Sequence, residues 1–226
     1  MKEIKPKGQA PRPTRGKTRV DEAYNVQTRP FEIRSEVISE PTIKAHDELF
    51  NGYVEGLNRL SAKLDGADRE DVNPNDSQFR TLKANECYLI NGAFLHALYF
   101  ENIGDLQSTI AMDTLAYMRL QRDWGTFNDW QEDFVATGLA ARNGWVVTVF
   151  NAFLNRFINV MIDSHDVGMP LGSYPVIVID CWEHAYAPDF QNKRKDYLYG
   201  VMRELNWEVI EDRFKKVERL IKALKE

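Results

Sequence analysis

Val176-Ile177-Val178-Ile179-Asp180-Cys181-Trp182-Glu183-His184-Ala185-Tyr186 decides how this chain is read. Its first part is a continuous run of β-branched residues, the pattern of a buried strand. Its second part sets an acid and an imidazole, Asp180 and His184, where that strand ends. Such a pair, beside Trp182 and Tyr186, is costly to bury unless it is salt-bridged or holds a cation. We read Asp180 and His184 as metal ligands, with a salt-bridged Asp–His pair as the structural alternative.

Two more β-rich stretches lie upstream, Trp145 to Phe150 and Phe157 to Ile162, joined around 151–155. With Tyr174 to Ile179 they predict a small antiparallel meander. His165 falls in the loop after the second strand. Further upstream the period changes to that of helices. Ser39-Glu40-Pro41-Thr42 reads as a helix start, with Ser39 as N-cap and Pro41 in the first turn. Ile43, His46, Leu49/Phe50, Tyr53/Val54, Leu57 and Leu60/Leu64 keep the period that follows. His46 and Tyr53 share one face, two turns apart.

After a polar turn at 65–76, a second helix runs from about Ser77 to Phe100 and carries His96 in its apolar stripe. The two helices form an antiparallel hairpin that can bring His46 and His96 together, although a lone histidine on such a face is more often a satisfied core residue. Residues 108–123 read as helical. Thr126 then caps Phe127 to about Ala141, with Asp129 three residues on. Helices over about 191–204 and from Trp207 to Leu224 close the chain. The expected fold class is α+β, with domains at 31–106 (hairpin) and 107–226 (a three-stranded antiparallel sheet flanked by helices).

The chain has 226 residues, 43% of them hydrophobic and 28% charged, which is the composition of a soluble globular protein. No apolar run approaches the ~20 residues of a membrane helix, so no membrane partner is expected. No secretory leader is visible either. Cys87 and Cys181 are too few for a disulfide framework. Together these point to the cytoplasm. The net charge of −5 is unevenly spread: residues 1–19 hold seven Lys and Arg against Glu3, so +6, which leaves −11 for the rest. Residues 1–30 read as a disordered basic arm, more simply a solvated tail than a nucleic-acid contact.

The four histidines, His46, His96, His165 and His184, come from separate elements. With Asp180 they offer three imidazoles and a carboxylate, plus one spare imidazole.

Asp180-x-Trp182-Glu183-His184-Ala185-Tyr186 closely resembles the D-x-W-E-H-A-Y signature of iron/manganese superoxide dismutases. Looser similarities follow in the family's order. Ile38-Ser39-x-x-Thr42-Ile43-x-x-His46 is similar to the start of its first ligand helix, and Tyr53-Val54-x-x-Leu57-Asn58 to its Y-V-x-x-L-N. His96-Ala97-Leu98-Tyr99-Phe100-x-Asn102-Ile103 resembles H-S-x-F-W-x-N-L, and Asp123-Trp124-Gly125-Thr126-Phe127-x-x-Trp130 resembles D-F-G-S-F-x-x-W. Asn143-Gly144-Trp145, Asn192-x-Arg194-x-x-Tyr197-Leu198 and Asn206-Trp207-Glu208 complete the series, which covers about residues 36–214.

The resemblance implies a helical hairpin followed by an α+β domain, and disproportionation of superoxide to oxygen and hydrogen peroxide at one iron or manganese ion per subunit. It implies His46, His96, Asp180 and His184 as ligands, Tyr53 as the gateway residue, and His165 against the bound solvent in the place of the family's usual Gln. Trp145 and Trp182 would wall the site, Arg194 would steer the anionic substrate, and Glu183 would bridge to a partner in a homodimer or dimer of dimers. The ligand charges suit a redox ion, because reduction with proton uptake leaves the charge of a buried site unchanged.

Three departures stand out. His46 and Tyr53 are seven positions apart where the family commonly has eight, no histidine lies in Asp47-Glu48-Leu49-Phe50-Asn51-Gly52, and Ala187 stands where a second Tyr usually follows. They imply an altered channel, and keep open a non-catalytic metal-binding or structural member tethered through its basic arm.

Overall fold

The computed structural model describes residues 23–223. Those residues form seven helices and one three-stranded sheet. The expected disorder of residues 1–22 lies outside the described chain. Residues 23–30 are held: Tyr24 N–H donates to Ser61 Oγ at 3.3 Å, and Val26 exchanges two bonds with the Asn58 amide at 2.7 and 2.8 Å. Arg29 pairs with Glu101. The packed chain therefore begins ahead of Pro30, because polar side chains of the first helix satisfy an extended backbone.

Helix α1 (Glu40–Asp65) follows Ser39 in extended conformation, and Ser39 N–H donates to Asp189 at 3.0 Å. Its buried face, Thr42, His46, Phe50, Val54, Leu57, Leu60/Ser61 and Leu64, repeats every three or four residues. Helix α2 (Gln78–Asn102) is capped by Ser77, whose hydroxyl accepts from Arg80 N–H at 3.3 Å. The helices run antiparallel, pairing Gly56 with Leu89, Tyr53 with Gly92, and His46 with His96. Gly92 permits this closeness: a Cβ there would stand 2.7 Å from the Tyr53 ring.

Helix α3 (Leu115–Trp124) is shorter than the expected 108–123. The Asp105 carboxylate and carbonyl engage the backbone of Gln107 and Ser108, and the helix starts only where Thr114 accepts from Tyr117 N–H. Helix α4 (Phe127–Ala140) starts at Thr126 as expected, with Asp129 N–H donating to its hydroxyl at 3.0 Å.

Strands β1 (Gly144–Asn151), β2 (Arg156–Asp163) and β3 (Ser173–Asp180) fall where the sequence puts them, and all pairing is antiparallel. Their order, β2-β1-β3, is not the expected meander. The reason is apolarity: every residue of β1 is buried, as is β3 from Val176 to Asp180, whereas β2 carries exposed Arg156 and Met161. The two most apolar strands pair and leave β2 at an edge.

The outer edge of β3 is covered by the end of α2. Asn102 receives Val178 N–H at 2.8 Å and donates to Val178 C=O at 2.9 Å, replacing a missing strand. Buried Arg213 locks the joint by donating to Asn102, Val176, Leu98 and Glu101. This fixes the helix that carries His96 against the strand that ends in Asp180.

Helix α5 (Glu183–Phe190) has no counterpart in the sequence reading; it follows the strand within two residues and contains Pro188. Helix α6 (Arg194–Met202) lies within the expected 191–204, and α7 (Trp207–Ala223) agrees with its expected span to one residue. One apolar cluster runs from α1 and α2 through the sheet to α7, so hairpin and sheet share a core. Among the described residues no helix is long and apolar enough to cross a membrane.

Gly144 is the tightest point of the sheet: an added Cβ would stand 1.8 Å from the Ile162 carbonyl oxygen. Gly144→Ala is expected to cost about 3 kcal/mol or more, read as a lowered midpoint of chemical denaturation with an unchanged slope.

Candidate metal centre

Four side chains from four elements converge. His46 comes from α1, His96 from α2, Asp180 from the last position of β3 and His184 from the first turn of α5. One ligand atom from each lies within 4.8 Å of every other. Asp180 Oδ2 is the hub: His46 Nε2 is 3.1 Å away, His184 Nε2 3.2 Å and His96 Nε2 3.8 Å. The other carboxylate oxygen accepts Trp182 N–H at 2.8 Å, which fixes the plane of the carboxylate. The main chain is anchored as well, since the Tyr197 hydroxyl donates to Asp180 C=O and Cys181 N–H to Gly144 C=O.

This donor set fits a cation. His96 Nδ1 lies 2.6 Å from Gly92 C=O and must donate its proton there. The neutral ring then presents a bare lone pair at Nε2, which is buried and without a hydrogen-bond partner. That lone pair faces a carboxylate oxygen across 3.8 Å, acceptor against acceptor. A metal ion between them satisfies both. Burial lowers the His96 pKa to about 3 and also lowers that of His46, so both rings are neutral, as ligation requires. Burial alone would raise the Asp180 pKa, but hydrogen bonds from His184 and His46 overturn it and hold the carboxyl well below its usual range. Three imidazoles and one carboxylate suit a first-row transition ion.

Around this cluster stand the other residues singled out in the sequence. Trp145 meets the His96 ring edge-on at 4.8 Å, and Trp182 stacks against His184 at 5.9 Å. Tyr53 lies 5.0 Å from the His96 ring, so the seven-residue spacing on α1 still sets His46 and Tyr53 on one face. His165 is buried and has both nitrogens engaged: Trp145 Nε1–H donates to Nδ1 at 2.9 Å, and Nε2 lies 2.7 Å from the Tyr53 hydroxyl. The imidazole thus joins Trp145 to Tyr53.

Two residues escaped the sequence reading. Asn91 donates to His165 C=O at 2.8 Å and ties its loop to α2, and Tyr88 packs on the His165 ring at 4.6 Å. They stand eight and five residues before His96, off the i−3/i−4 face of α2 that carries it, so helical spacing counted back from His96 does not reach them.

The model of the iron/manganese superoxide dismutases, C-terminal domain, matches residues 113–213. A superoxide dismutase [Fe] of Aquifex aeolicus is 33% identical over 190 residues, covering 83% of this chain and 87% of its own length. This chain belongs to the iron/manganese superoxide dismutase family. A superoxide dismutase [Mn] 2 of Haloferax volcanii is 27% identical over 88% of the chain and 98% of its own length. A superoxide dismutase [Fe] of Methanothermobacter marburgensis is 27% identical over 82% of the chain and 92% of its own length. Relatives within the family thus carry either metal in their names.

The remaining positions are more open to solvent. The His184 side chain is 30% exposed, the one open ligand of the four, and Glu183 beside it is exposed. Arg194 donates to the carbonyls of Ala141 and Arg142 and lies over the Tyr186 ring at 5.3 Å.

Asp180→Asn keeps the shape of the hub but removes its charge. It is expected to lower bound iron or manganese by at least about tenfold, measured by elemental analysis after dialysis against a weak chelator. Melting of the variant should then no longer respond to added metal, whereas the wild-type midpoint rises on metal addition.

Proposed function

We propose that this protein disproportionates superoxide to oxygen and hydrogen peroxide, with His46, His96, Asp180 and His184 holding one iron or manganese ion per subunit. The observation that carries the proposal is the buried His96 Nε2 lone pair, stranded opposite Asp180 Oδ2. When bound, the ion supplies one-electron exchange with superoxide in both directions.

The protein's own residues do the rest. The buried rings of His96 and Trp145, with Trp182 partly exposed, keep bulk water from the ion and strengthen the field at the site. His165 acts as an orienting group. Its Nδ1 accepts from Trp145, a donor only, so in the neutral ring Nε2–H donates to Tyr53 Oη. Burial lowers the His165 pKa to about 4, which keeps that tautomer in neutral solution. Tyr53 Oη is thereby left to donate its own proton elsewhere, toward the channel. Among the described residues Arg194 donates to two neutral carbonyls, which leave its positive charge uncompensated and able to attract an anion to a chain of net charge −5.

Exposed Glu183 beside half-open His184 supports a homodimer, or a dimer of dimers, in which Glu183 accepts a bond from a partner's imidazole. Free Cys87 and Cys181 suit a reducing compartment and support a cytoplasmic setting. The departures in the channel, above all Ala187, favour one second reading: a member that holds metal without turnover.

Protein loaded separately with iron and with manganese is expected to dismute superoxide with at least one of them, above the rate of the free ion, and His184→Ala to abolish this. Retained metal with no turnover would select the second reading. Glu183→Ala is expected to shift the protein toward monomer by sedimentation, by at least about tenfold in dissociation constant, because a charge-assisted bond is lost from each side of the interface.

A further inference from the structure

The hydrogen-bonded chain that starts at Trp145 has a direction, and that direction asks for an acceptor beyond Tyr53. Trp145 donates to His165, and His165 donates to Tyr53 Oη, so the Tyr53 hydrogen points onward. Tyr53 is half-buried, and α1 offers it no imidazole between His46 and Tyr53. The neighbouring hydroxyl comes from α2. The Tyr88 ring packs on His165 with centroids 4.6 Å apart and lies 6.1 Å from the Tyr53 ring, and after burial it is the next cause that holds the Tyr53 pKa above its usual value. One helical turn on, Asn91 grips the His165 carbonyl at 2.8 Å, so the face of α2 that presents Tyr88 also fixes the loop it packs on. Tyr88 is itself half-buried, with one side on the cluster and one toward solvent.

We propose that Tyr88 is a positioning residue for the outer end of this chain: its hydroxyl takes up the Tyr53 hydrogen bond and links it to bulk water. Protons consumed when peroxide is formed from superoxide, two per peroxide, are then resupplied to Tyr53 Oη from solvent through Tyr88 rather than from α1. This deepens the proposed function and rests on it.

Tyr88→Phe keeps the ring and removes the link, and Tyr88→His restores a polar one. In the full chain loaded with diamagnetic zinc, exchange of the Tyr53 hydroxyl proton with water is followed by nuclear magnetic resonance. A relay predicts exchange slower by about tenfold in Tyr88→Phe and recovered in Tyr88→His. A ring that only packs predicts unchanged or faster exchange, which overturns the proposal. In the iron- or manganese-loaded enzyme, Tyr88→Phe should lower kcat on the order of tenfold, leave kcat/KM within about twofold and raise the solvent isotope effect on kcat. Equal losses in kcat and kcat/KM would also count against it. If the wild type shows no dismutation, the functional reading fails while the exchange measurement still decides the role of Tyr88.

Discussion

A buried carboxylate at the end of a buried strand is the constraint on which this molecule turns. Asp180 is fully buried and ionised, and an isolated charge there would be unsustainable. Every element that meets the site does so to answer that charge. Helix α1 brings His46, α5 begins within two residues of the strand so that His184 can turn back, and α2 brings His96. The price of the arrangement falls on α2, which must stop beside β3 at a set height. Asn102 and Arg213 enforce that height, the first by standing in for a fourth strand and the second by tying α2, β3 and α7 together. Backbone geometry far from the cluster thus decides whether His96 Nε2 reaches its partner.

Around the hub the protein separates holding an ion from serving it. His96 is fixed by its bond to the Gly92 carbonyl, which leaves the ring neutral. The serving groups form a directed line, because a tryptophan that can only donate sets the tautomer of His165, and that tautomer sets which way the Tyr53 hydroxyl faces. A glutamine in the place of His165 could also accept from Trp145 and donate to Tyr53. It would keep a second amide hydrogen for other uses, which the imidazole, with both nitrogens spent, does not have. The histidine therefore commits the line more strictly to Tyr53.

What the sequence disclosed follows from which signals are local. The strand run at Val176 to Ile179, the helix starts at Ser39 and Thr126, and histidines set in apolar helical stripes are read within a few residues; both helices begin there, with a capping bond to the Thr126 hydroxyl and none to that of Ser39. Strand order is not local. The meander reading assumed that neighbours in sequence pair, whereas β3 chose β1 because both are buried on both faces. Helix α5 was hidden by brevity and by Pro188, and the loop before α3 was hidden because its residues lack breakers while Asp105 competes for their amides. Within the site, residue types were legible and partners were not. His165 could be placed near the cluster by its loop, but that both its nitrogens are taken depends on Trp145 and Tyr53 arriving from two other elements.

The single chain also leaves the site asymmetric, and the asymmetry has a direction. Three ligands are sealed, while His184 keeps 30% of its side chain exposed. On the same side Glu183 is exposed and the Trp182 indole N–H is buried without a partner. A ligand imidazole needs an acceptor for its second nitrogen to hold its tautomer and orientation, and His184, unlike His96, meets no carbonyl among the described residues. A carboxylate from outside would supply that acceptor, and by two-fold symmetry Glu183 would be the group that offers it in return. Completion of the metal site and assembly of the protein would then be one event, so that loss of the ion loosens the pair and loss of the partner loosens the ion.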